Sequence, residues 1–314
     1  MYIMSYLWNF LAMVWYQLTF KPQPLPDDIR LDGLTAILTG ENVGLGFEAA
    51  KELASHGPSR LILAVRDLSK GEAAKAKISR EAPECDIFSM VAFAKRTSAE
   101  LDRLDIMLLN AGLKRLEFTR LPTGHEAHVQ INHLGTALLS LLLVEPLRRT
   151  SQQKGKPSRM TSTGSSVAFS APVQDILEPN EEKGIIPWLD NPALFVPGIS
   201  RYSLSKLLGV LWTRALAARL NSANIILNTL NPGYRKSSFL AWGSAVGAYH
   251  LTDAAVRHPD SHGEYLSEQR IRPVPSLASS ARGKGIQDKL WDATISLFRA
   301  ECPAASIEEF TRGG

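Results

Sequence analysis

Leu34-Thr-Ala-Ile-Leu-Thr-Gly-Glu-Asn-Val-Gly-Leu-Gly46 is the stretch of sequence that decides the fold. Residues 34–39 are mostly apolar or β-branched, which predicts a short buried strand. Glycines at 40, 44 and 46 then predict a turn, and a helix should follow over about residues 44–56. A glycine turn that leads from a strand into a helix is a useful sign of a nucleotide-binding α/β protein.

Similar apolar segments recur downstream, with helical segments between them. Strands are predicted at 60–65, 105–109, 159–163 and 225–229, and helices at 70–80 and across the leucine-rich run that begins at Leu204. Because parallel strands need crossover helices, this alternation predicts a parallel sheet that is covered on both faces. The expected fold class is α/β: a single, doubly wound, Rossmann-like domain with its ligands at the carboxyl ends of the strands.

Composition narrows the class of protein. The 314 residues are 45% apolar and 21% charged, enough for a large core. The net charge is +4, but no run of five or more Lys or Arg occurs, so nucleic acid is not expected as a partner. The only cysteines, Cys85 and Cys302, exclude a cysteine-based zinc site and argue against a disulfide-stapled secreted scaffold. A reducing, cytoplasmic compartment fits best, and no metal site is predicted.

Residues 1–26 are predicted to be an apolar helix followed by a proline-rich linker, and residues 27–314 the α/β domain. Residues 3–20 carry no charge and are rich in Tyr and Trp, which suits a membrane interface better than a bilayer centre. Packing of this helix on the domain is the first expectation, peripheral membrane contact through residues 1–20 is the alternative, and a true span is the least favoured. A signal peptide is not expected, because a basic region and a small-residue cleavage site are absent.

Tyr202 and Lys206 are four residues apart in a predicted helix, so their side chains should share one face. A unit charge about 5 Å from a phenolate, at an effective dielectric of about 20, is worth roughly 3 kcal/mol and lowers a tyrosine pKa of about 10 by about two units. Such a pair is able to transfer a proton near neutral pH. The same spacing also occurs on solvated helix faces, so the interpretation depends on the other motifs.

Six motifs follow one another along the chain: Thr39-Gly40-x-x-x-Gly44-x-Gly46, Asn110-Ala-Gly112, Asn132, Ser165, Tyr202-x-x-x-Lys206 and Asn231-Pro-Gly233. In this order they resemble the short-chain dehydrogenase/reductase family over about residues 33–300. The text at 65–72 is similar to the retinol-dehydrogenase-like branch, especially its fungal members that tailor secondary metabolites. The resemblance implies an oxidoreductase that exchanges a hydride between a nicotinamide and an alcohol or ketone, and it adds the expectation of a homo-oligomer.

The resemblance also implies the catalytic roles. Tyr202 would pass a proton to or from the substrate oxygen, while Lys206 lowers its pKa and binds the nicotinamide ribose. Ser165 would orient the carbonyl or hydroxyl, and Asn132 would hold a water that links Lys206 to solvent. The choice of Ser165 over Ser166 rests on the family's register. For Ser165 and Asn132, satisfying nearby backbone groups is the alternative role.

The glycine turn predicts the cofactor site. Gly40 permits the tight turn, Gly44 lets the backbone approach a diphosphate, and Gly46 lets helix and sheet pack closely. Arg66 follows the second strand, where NADP-accepting members often hold a basic residue, so NADP is favoured over NAD, although Asp67 is adjacent. The resemblance adds cofactor contacts at Leu45, Asp86, Asn110, Ala111, Gly112, Tyr202, Lys206, Pro232, Gly233 and Ser237.

Ser165 and Tyr202 are 37 positions apart, which leaves a long segment, residues 168–200, as a predicted substrate loop. Its apolar residues are predicted to form a wall over the catalytic tyrosine and to favour a small apolar substrate such as a terpenoid, polyketide or lipid-like ketone or alcohol. They are Phe169, Pro172, Ile185, Ile186, Trp188, Leu194 and Phe195. A merely stabilising insertion is the alternative.

Residues 83–95 leave little room for the third strand of the family pattern. The sequence therefore predicts a truncated or missing third, edge strand, with Asp86 and Ile87 as its remnant or with a deletion after Ile87. Such a loss would remove one wall of the adenine pocket. A catalytically weak or inactive homologue with impaired cofactor binding is thus one alternative function, and a membrane-surface retinoid or sterol dehydrogenase is another.

Overall fold

A computed structural model describes residues 11, 14–40, 44–65, 67–81, 86–90, 102–172, 184–233, 243–302 and 307, with residues 86–90 described for their backbone. One eight-stranded sheet organises the domain, in the order β3-β2-β1-β4-β5-β6-β7-β8. The strands are β1 (Thr35–Thr39), β2 (Arg60–Ala64), β3 (Asp86–Met90), β4 (Ile106–Leu109), β5 (Ser158–Thr163), β6 (Ile225–Leu230), β7 (Tyr265–Ser267) and β8 (Arg270–Arg272). The predicted doubly wound fold is confirmed.

Every neighbouring pair from β3 to β7 is parallel, and β8 returns antiparallel to β7. The strand order reverses between β1 and β4, and a reversal of this kind opens a crevice at the carboxyl ends of the strands. The two short strands β7 and β8 were not predicted from the sequence, because three residues are too few to show a period.

Helices cover both faces of the sheet. They are α1 (Leu45–Ser55), α2 (Leu68–Glu81), α3 (Thr136–Leu142), α4 (Val144–Lys154), α5 (Ile185–Leu189), α6 (Ser200–Ala217), α7 (Ser244–Val256), α8 (Ser276–Ser279) and α9 (Ala281–Glu301), with a π-helix at Val129–Gly135 and 3₁₀ turns at Ser166–Ser170 and Pro192–Leu194. Ile37 joins the core on one face of the sheet and Leu38 the core on the other, because successive strand side chains point to opposite faces.

Helix α6 carries the predicted catalytic pair and is buried on nearly all sides. It packs against α9, where the Trp212 and Trp291 rings stack with centroids 4.8 Å apart. The Trp212 indole N–H also donates to Ser140 Oγ, at 2.9 Å. Apolar and polar residues of this helix are buried alike, so Tyr202 and Lys206 are carried by a firmly packed element.

The prediction of a truncated or missing third strand is wrong. β3 has five residues, as β1 and β2 do, and pairs with β2 from Arg60↔Asp86 to Ala64↔Met90. An edge strand needs only one partner, so five residues that pair with β2 alone suffice. Within the interval 83–95, residues 83–85 and 91–95 lie outside the described residues.

The N-terminal segment is attached to the domain near β8. Residues 14–19 are helical, and the Phe20 ring lies 5.8 Å from the His250 ring. Gln23 and Gln269 exchange two hydrogen bonds, of 2.9 and 2.7 Å, which tie the segment to the β7–β8 hairpin. No helix in the described part of the chain is long and apolar enough to cross a membrane.

Candidate active site

A cavity of about 310 Å³ lies where β1, β4, β5 and β6 end. Three of the four predicted catalytic residues line it: Ser165, Tyr202 and Lys206. Of the predicted cofactor residues, the lining includes Leu45, Asn110, Gly112, Pro232 and Gly233. Motifs that are far apart in the sequence therefore meet at one site.

The glycine turn after β1 has the geometry that only glycine tolerates. Gly40 has a φ of +72°, and a Cβ there would come within 2.7 Å of Ala111 Cα. Gly44, at φ 73° and ψ −138°, caps the N-terminus of α1 and supplies no side-chain acceptor. The first N–H groups of α1 and the positive end of its dipole are thus available to an anionic group, so this turn fits a cofactor diphosphate.

Asn110 ties together the ends of three strands. Its Nδ2 donates to the carbonyls of Thr39 and Gly40, at 3.2 and 3.1 Å. Its Oδ1 accepts from the Thr163 hydroxyl at 3.3 Å. The backbone N–H groups of Asn110 and Ala111 both donate to Thr39 Oγ1, at 3.0 Å each. These bonds set the positions of β1, β4 and β5 around the cavity.

Lys206 is 9% exposed, and its ammonium donates to the Thr163 carbonyl at 2.7 Å. The Nζ lies 5.8 Å from the centroid of the Tyr202 ring, as the helical spacing predicted. Burial lowers the pKa of Lys206 to about 8, because the charged form loses its hydration. The group therefore still carries its charge at neutral pH and loses it in mildly alkaline solution.

Asn132 lies in the π-helix and acts as a clamp on the cavity wall. Its Oδ1 accepts from the Leu113 N–H at 2.8 Å, and its Nδ2 donates to the Leu113 carbonyl at 2.9 Å. The same Nδ2 donates to Ser205 Oγ, which in turn donates to the Tyr202 carbonyl. Single π-helical turns are frequent at functional sites. Asn132 thus links the wall to helix α6.

Ser165 follows β5 and caps the 3₁₀ turn at Ser166–Ser170. Its Oγ accepts from the Val167 N–H at 3.4 Å, so its own proton remains for another acceptor. Gly164, just before it, is closely packed: a Cβ there would lie 2.9 Å from the Leu230 carbonyl oxygen. The Ser166 N–H is used by Asn231 Oδ1, at 3.0 Å. Both serines line the cavity, so the choice of Ser165 over Ser166 remains a prediction.

The sequence did not single out a buried Glu126–His128 pair beside the site. Both side chains are fully buried, and His128 Nδ1 donates to the Glu126 carboxylate at 2.8 Å. His128 Nε2 accepts from the Arg115 N–H at 3.0 Å, which fixes the neutral tautomer. The His128 ring lies 6.2 Å from the Tyr202 ring. In the sequence the two residues stand in Thr123-Gly-His-Glu-Ala-His-Val-Gln130, a mostly polar stretch that gives no sign of burial.

The predicted apolar wall is wrong in its membership. None of the seven residues expected there lines the cavity, whereas Val167 and Ile199 do. Ile185 and Ile186 belong instead to the hydrophobic core, because α5 packs against α9. The sequence showed that the segment is apolar but not which of its side chains face inward.

All of the predicted cofactor contacts remain predictions, and for three of them the structure does not describe the side chain. Arg66 and Ser237 lie outside the described residues, and Asp86 is described for its backbone alone. In the described ranges, no group of three or more His, Cys, Asp or Glu residues could hold a metal ion.

Comparison with known proteins decides the family. A family model described as short chain dehydrogenase matches residues 34–171. Short chain dehydrogenase sol3 of Alternaria solani is 47% identical over 280 residues, which cover 81% of this chain and 96% of that protein. The chain belongs to the short-chain dehydrogenase family. It is accordingly an oxidoreductase that acts on CH–OH groups with a nicotinamide cofactor.

Solved structures of short-chain dehydrogenases share the fold. One from Burkholderia cenocepacia J2315, in complex with NADP, superposes with a TM-score of 0.54 at 21% identity over 76% of this chain and 96% of that one. An NADH-dependent reductase complexed with NAD gives 0.52 at 18% identity, over 76% and 95%. Both cofactors thus occur on this fold.

Proposed function

We propose that this short-chain dehydrogenase is an NADP-dependent enzyme that interconverts an apolar ketone and alcohol, in secondary-metabolite biosynthesis. The observation that carries the proposal is the meeting of Ser165, Tyr202 and Lys206 in one cavity beside the glycine turn. The biosynthetic setting is supported by the sequence resemblance and by a relative from Alternaria solani.

The nicotinamide, when bound, supplies or accepts the hydride. In the direction of reduction, the Tyr202 hydroxyl donates its proton to the substrate oxygen, and the Ser165 hydroxyl donates a hydrogen bond to the same oxygen. The Lys206 ammonium stabilises the phenolate that Tyr202 becomes. Asn132 and the Glu126–His128 pair hold the wall and the helix that carry these groups.

The start of α2 supports NADP over NAD. The Asp67 carboxylate accepts from the Ser69 N–H at 3.0 Å and the Ser69 hydroxyl at 2.7 Å, so it caps its own helix. These hydrogen bonds from Ser69 lower the pKa of Asp67. These bonds reach Oδ1 and fix the orientation of the carboxylate at the start of α2, while Arg66, by its place in the sequence, is the expected partner of a 2′-phosphate.

Cofactor titration separates the enzyme from an inactive homologue. NADPH fluorescence should saturate with purified protein at micromolar cofactor, and NADH should bind at least tenfold more weakly. A panel of apolar ketones should then oxidise the bound NADPH. Absence of saturable binding by either cofactor would favour the inactive homologue, while equal binding of both would retain the enzyme but remove the NADP assignment.

Peripheral membrane contact is a second candidate, favoured by an exposed stripe on the N-terminal segment. Leu11, Trp15 and Leu18 are 47%, 65% and 59% exposed and follow helical spacing. Lys21, exposed nearby, suits an anionic headgroup. The protein should sediment with phosphatidylcholine–phosphatidylserine vesicles, and Trp15→Ser with Leu18→Ser should abolish this. Sedimentation that the two changes leave intact would remove the candidate.

Oligomeric state remains a family expectation. Light scattering on the purified protein tests for the homo-oligomer, and a monomer at all concentrations would exclude it.

A further inference from the structure

Large apolar side chains that stay exposed are concentrated at two places on the described surface. Ten such residues are exposed, and five of them belong to the N-terminal segment and β8. Four others are Leu116, Leu194, Val196 and Ile199, with exposed fractions of 56%, 40%, 54% and 45%. We call these four the apolar rim. A grouped set of exposed apolar side chains marks a binding surface more often than scattered ones do.

The apolar rim is one surface made from two segments. The Gly198 N–H donates to the Leu116 carbonyl at 2.7 Å. The Phe118 and Phe195 rings meet edge to face, with centroids 5.6 Å apart. The segment that follows β4 and the segment that precedes α6 are therefore joined side by side.

The apolar rim continues directly into the catalytic cavity. Ile199 belongs to both, since it lines the cavity together with Tyr202. Leu113 and Lys114 also line the cavity, and the chain leads from them to Leu116 within two residues. A ligand that leaves the cavity on this side can reach the apolar rim directly past Ile199, beside the exposed Lys114 and Arg115.

The position of the rim is fixed by an unusual residue. Arg201, next to the catalytic tyrosine, is 3% exposed, and its guanidinium lies 5.4 Å from the Trp188 ring and 5.6 Å from the Phe195 ring. Its Nη2 donates to the Leu194 carbonyl at 3.1 Å. Helix α6 thus holds the rim in register with Tyr202.

The small volume of the cavity indicates a function for the apolar rim. A cavity of about 310 Å³ is at the lower end of the roughly 300–1,000 Å³ that enclose most of a drug-sized ligand. Residues proposed for the cofactor share its lining, so the nicotinamide end takes part of that space. Little room remains for a large substrate inside.

We infer that the apolar rim binds the hydrocarbon body of the substrate while only the reacting carbon enters the cavity. This inference rests on the proposed function and names its substrate class: an extended apolar ketone or alcohol with the reacting group near one end. Leu116, Val196 and Ile199 are then specificity-determining residues. They add affinity in proportion to the apolar area that the substrate covers.

Chain-length dependence tests the inference. Affinity of the NADP-loaded protein is measured by calorimetry for methyl ketones from butanone to octanone, and kcat/KM is measured with NADPH for the same series. In the wild type, each added methylene should raise affinity about two- to fourfold. In the variant with Leu116→Ser, Leu194→Ser and Val196→Ser, which leaves the cavity lining intact, this gain should fall to less than half, with butanone and NADPH affinity unchanged.

Matched controls are Leu68→Ser, on α2, and Ile271→Ser, on β8, which remove equally exposed side chains elsewhere. Both should keep the wild-type gain per methylene. If the affinity gain per methylene is unchanged in the triple variant, the inference is overturned. Turnover of butanone by that variant would at the same time leave the proposed function standing. Loss of a dimer in the triple variant, with the gain unchanged, would make the rim a subunit interface and likewise overturn the inference.

The calorimetric arm needs no turnover. If the wild type binds NADPH but reduces no ketone, the proposed function fails, and the gain in affinity per methylene still decides the role of the rim.

Discussion

At the floor of the cavity, Ser165, Tyr202 and Lys206 are placed by hydrogen bonds, whereas at the apolar rim the side chains are presented by the packing of two loops. The Lys206 ammonium donates to the Thr163 carbonyl, and the Tyr202 backbone carbonyl accepts from Ser205, which Asn132 holds. Leu116 and Leu194 also accept hydrogen bonds through their backbone carbonyls, but their apolar side chains form no hydrogen bonds and stay exposed. The reaction depends on the direction of a few polar groups at the floor, whereas substrate choice depends on the apolar contact area at the rim. Single substitutions at the floor should therefore lower kcat far more than single substitutions at the rim.

Tyr202→Phe should have the largest effect. Loss of the proton donor should lower kcat about 10²- to 10⁴-fold. NADPH affinity and the melting temperature should change little, since the ring remains. Tyr249→Phe, at another half-buried tyrosine, is the matched control and should retain full activity. Comparable kcat for the two variants would show that the floor does not hold the proton donor.

Lys206→Met should be next, with a fall in kcat of about 10²-fold from the lost positive charge. The melting temperature should rise, because the buried ammonium with its pKa lowered to about 8 costs stability at neutral pH. The contrast is Lys154→Met, which breaks an ion pair with buried Asp105 and should lower the melting temperature without changing kcat. A lower melting temperature for Lys206→Met would contradict the view that the buried charge of Lys206 reduces stability and is kept for catalysis.

Ser165→Ala should lower kcat about 10- to 100-fold, the effect of one hydrogen bond to a group that gains charge. Ser166→Ala should change kcat less than threefold, because its backbone N–H rather than its hydroxyl is bonded to Asn231. Steady-state kinetics on the pair decide between them. The opposite ranking would show that the register carried over from the family is shifted by one residue.

The smallest effect should come from pH. With a pKa of about 8, Lys206 loses its charge as pH rises through 8, and kcat for ketone reduction should fall severalfold between pH 7 and 9. Stability should move the other way. The folded pKa lies below the unfolded value of 10.5, so the folded state binds fewer protons in this range and gains stability as pH rises from 8 to 10.5. In Lys206→Met, neither trend should remain.

Sequence reasoning succeeded where one residue type alone meets a geometric need. Gly40 must adopt a positive φ against Ala111, and the spacing of Tyr202 and Lys206 is one helical turn. These requirements are local, so a pattern in the sequence displays them. The same holds for β1, β2, β4 and β6, which contain or consist of apolar runs that are largely buried; β5, Ser158-Arg-Met-Thr-Ser-Thr163, gave a weaker signal.

Sequence reasoning failed where tertiary packing makes the choice. The sequence of residues 185–199 does not predict that Ile186 is buried in the core while Val196 stays exposed. Which side chains are buried depends on the packing of α5 against α9. The full length of β3 was not predicted because it depends on pairing with β2, whose residues lie 26 positions earlier in the chain. Glu126 and His128 were overlooked because their burial as a bonded pair is visible only in three dimensions.

The proposed hydride transfer is tested most directly by following deuterium from the cofactor into the product. NADPH deuterated at its hydride-donating carbon is mixed with excess protein and an apolar ketone in a single turnover, and the product alcohol is analysed by mass spectrometry. We predict deuterium at the carbinol carbon with the wild type, and almost none on the same timescale with Tyr202→Phe despite equal NADPH binding. Saturated NADPH binding by the wild type without deuterium transfer to any ketone of the panel would contradict the account.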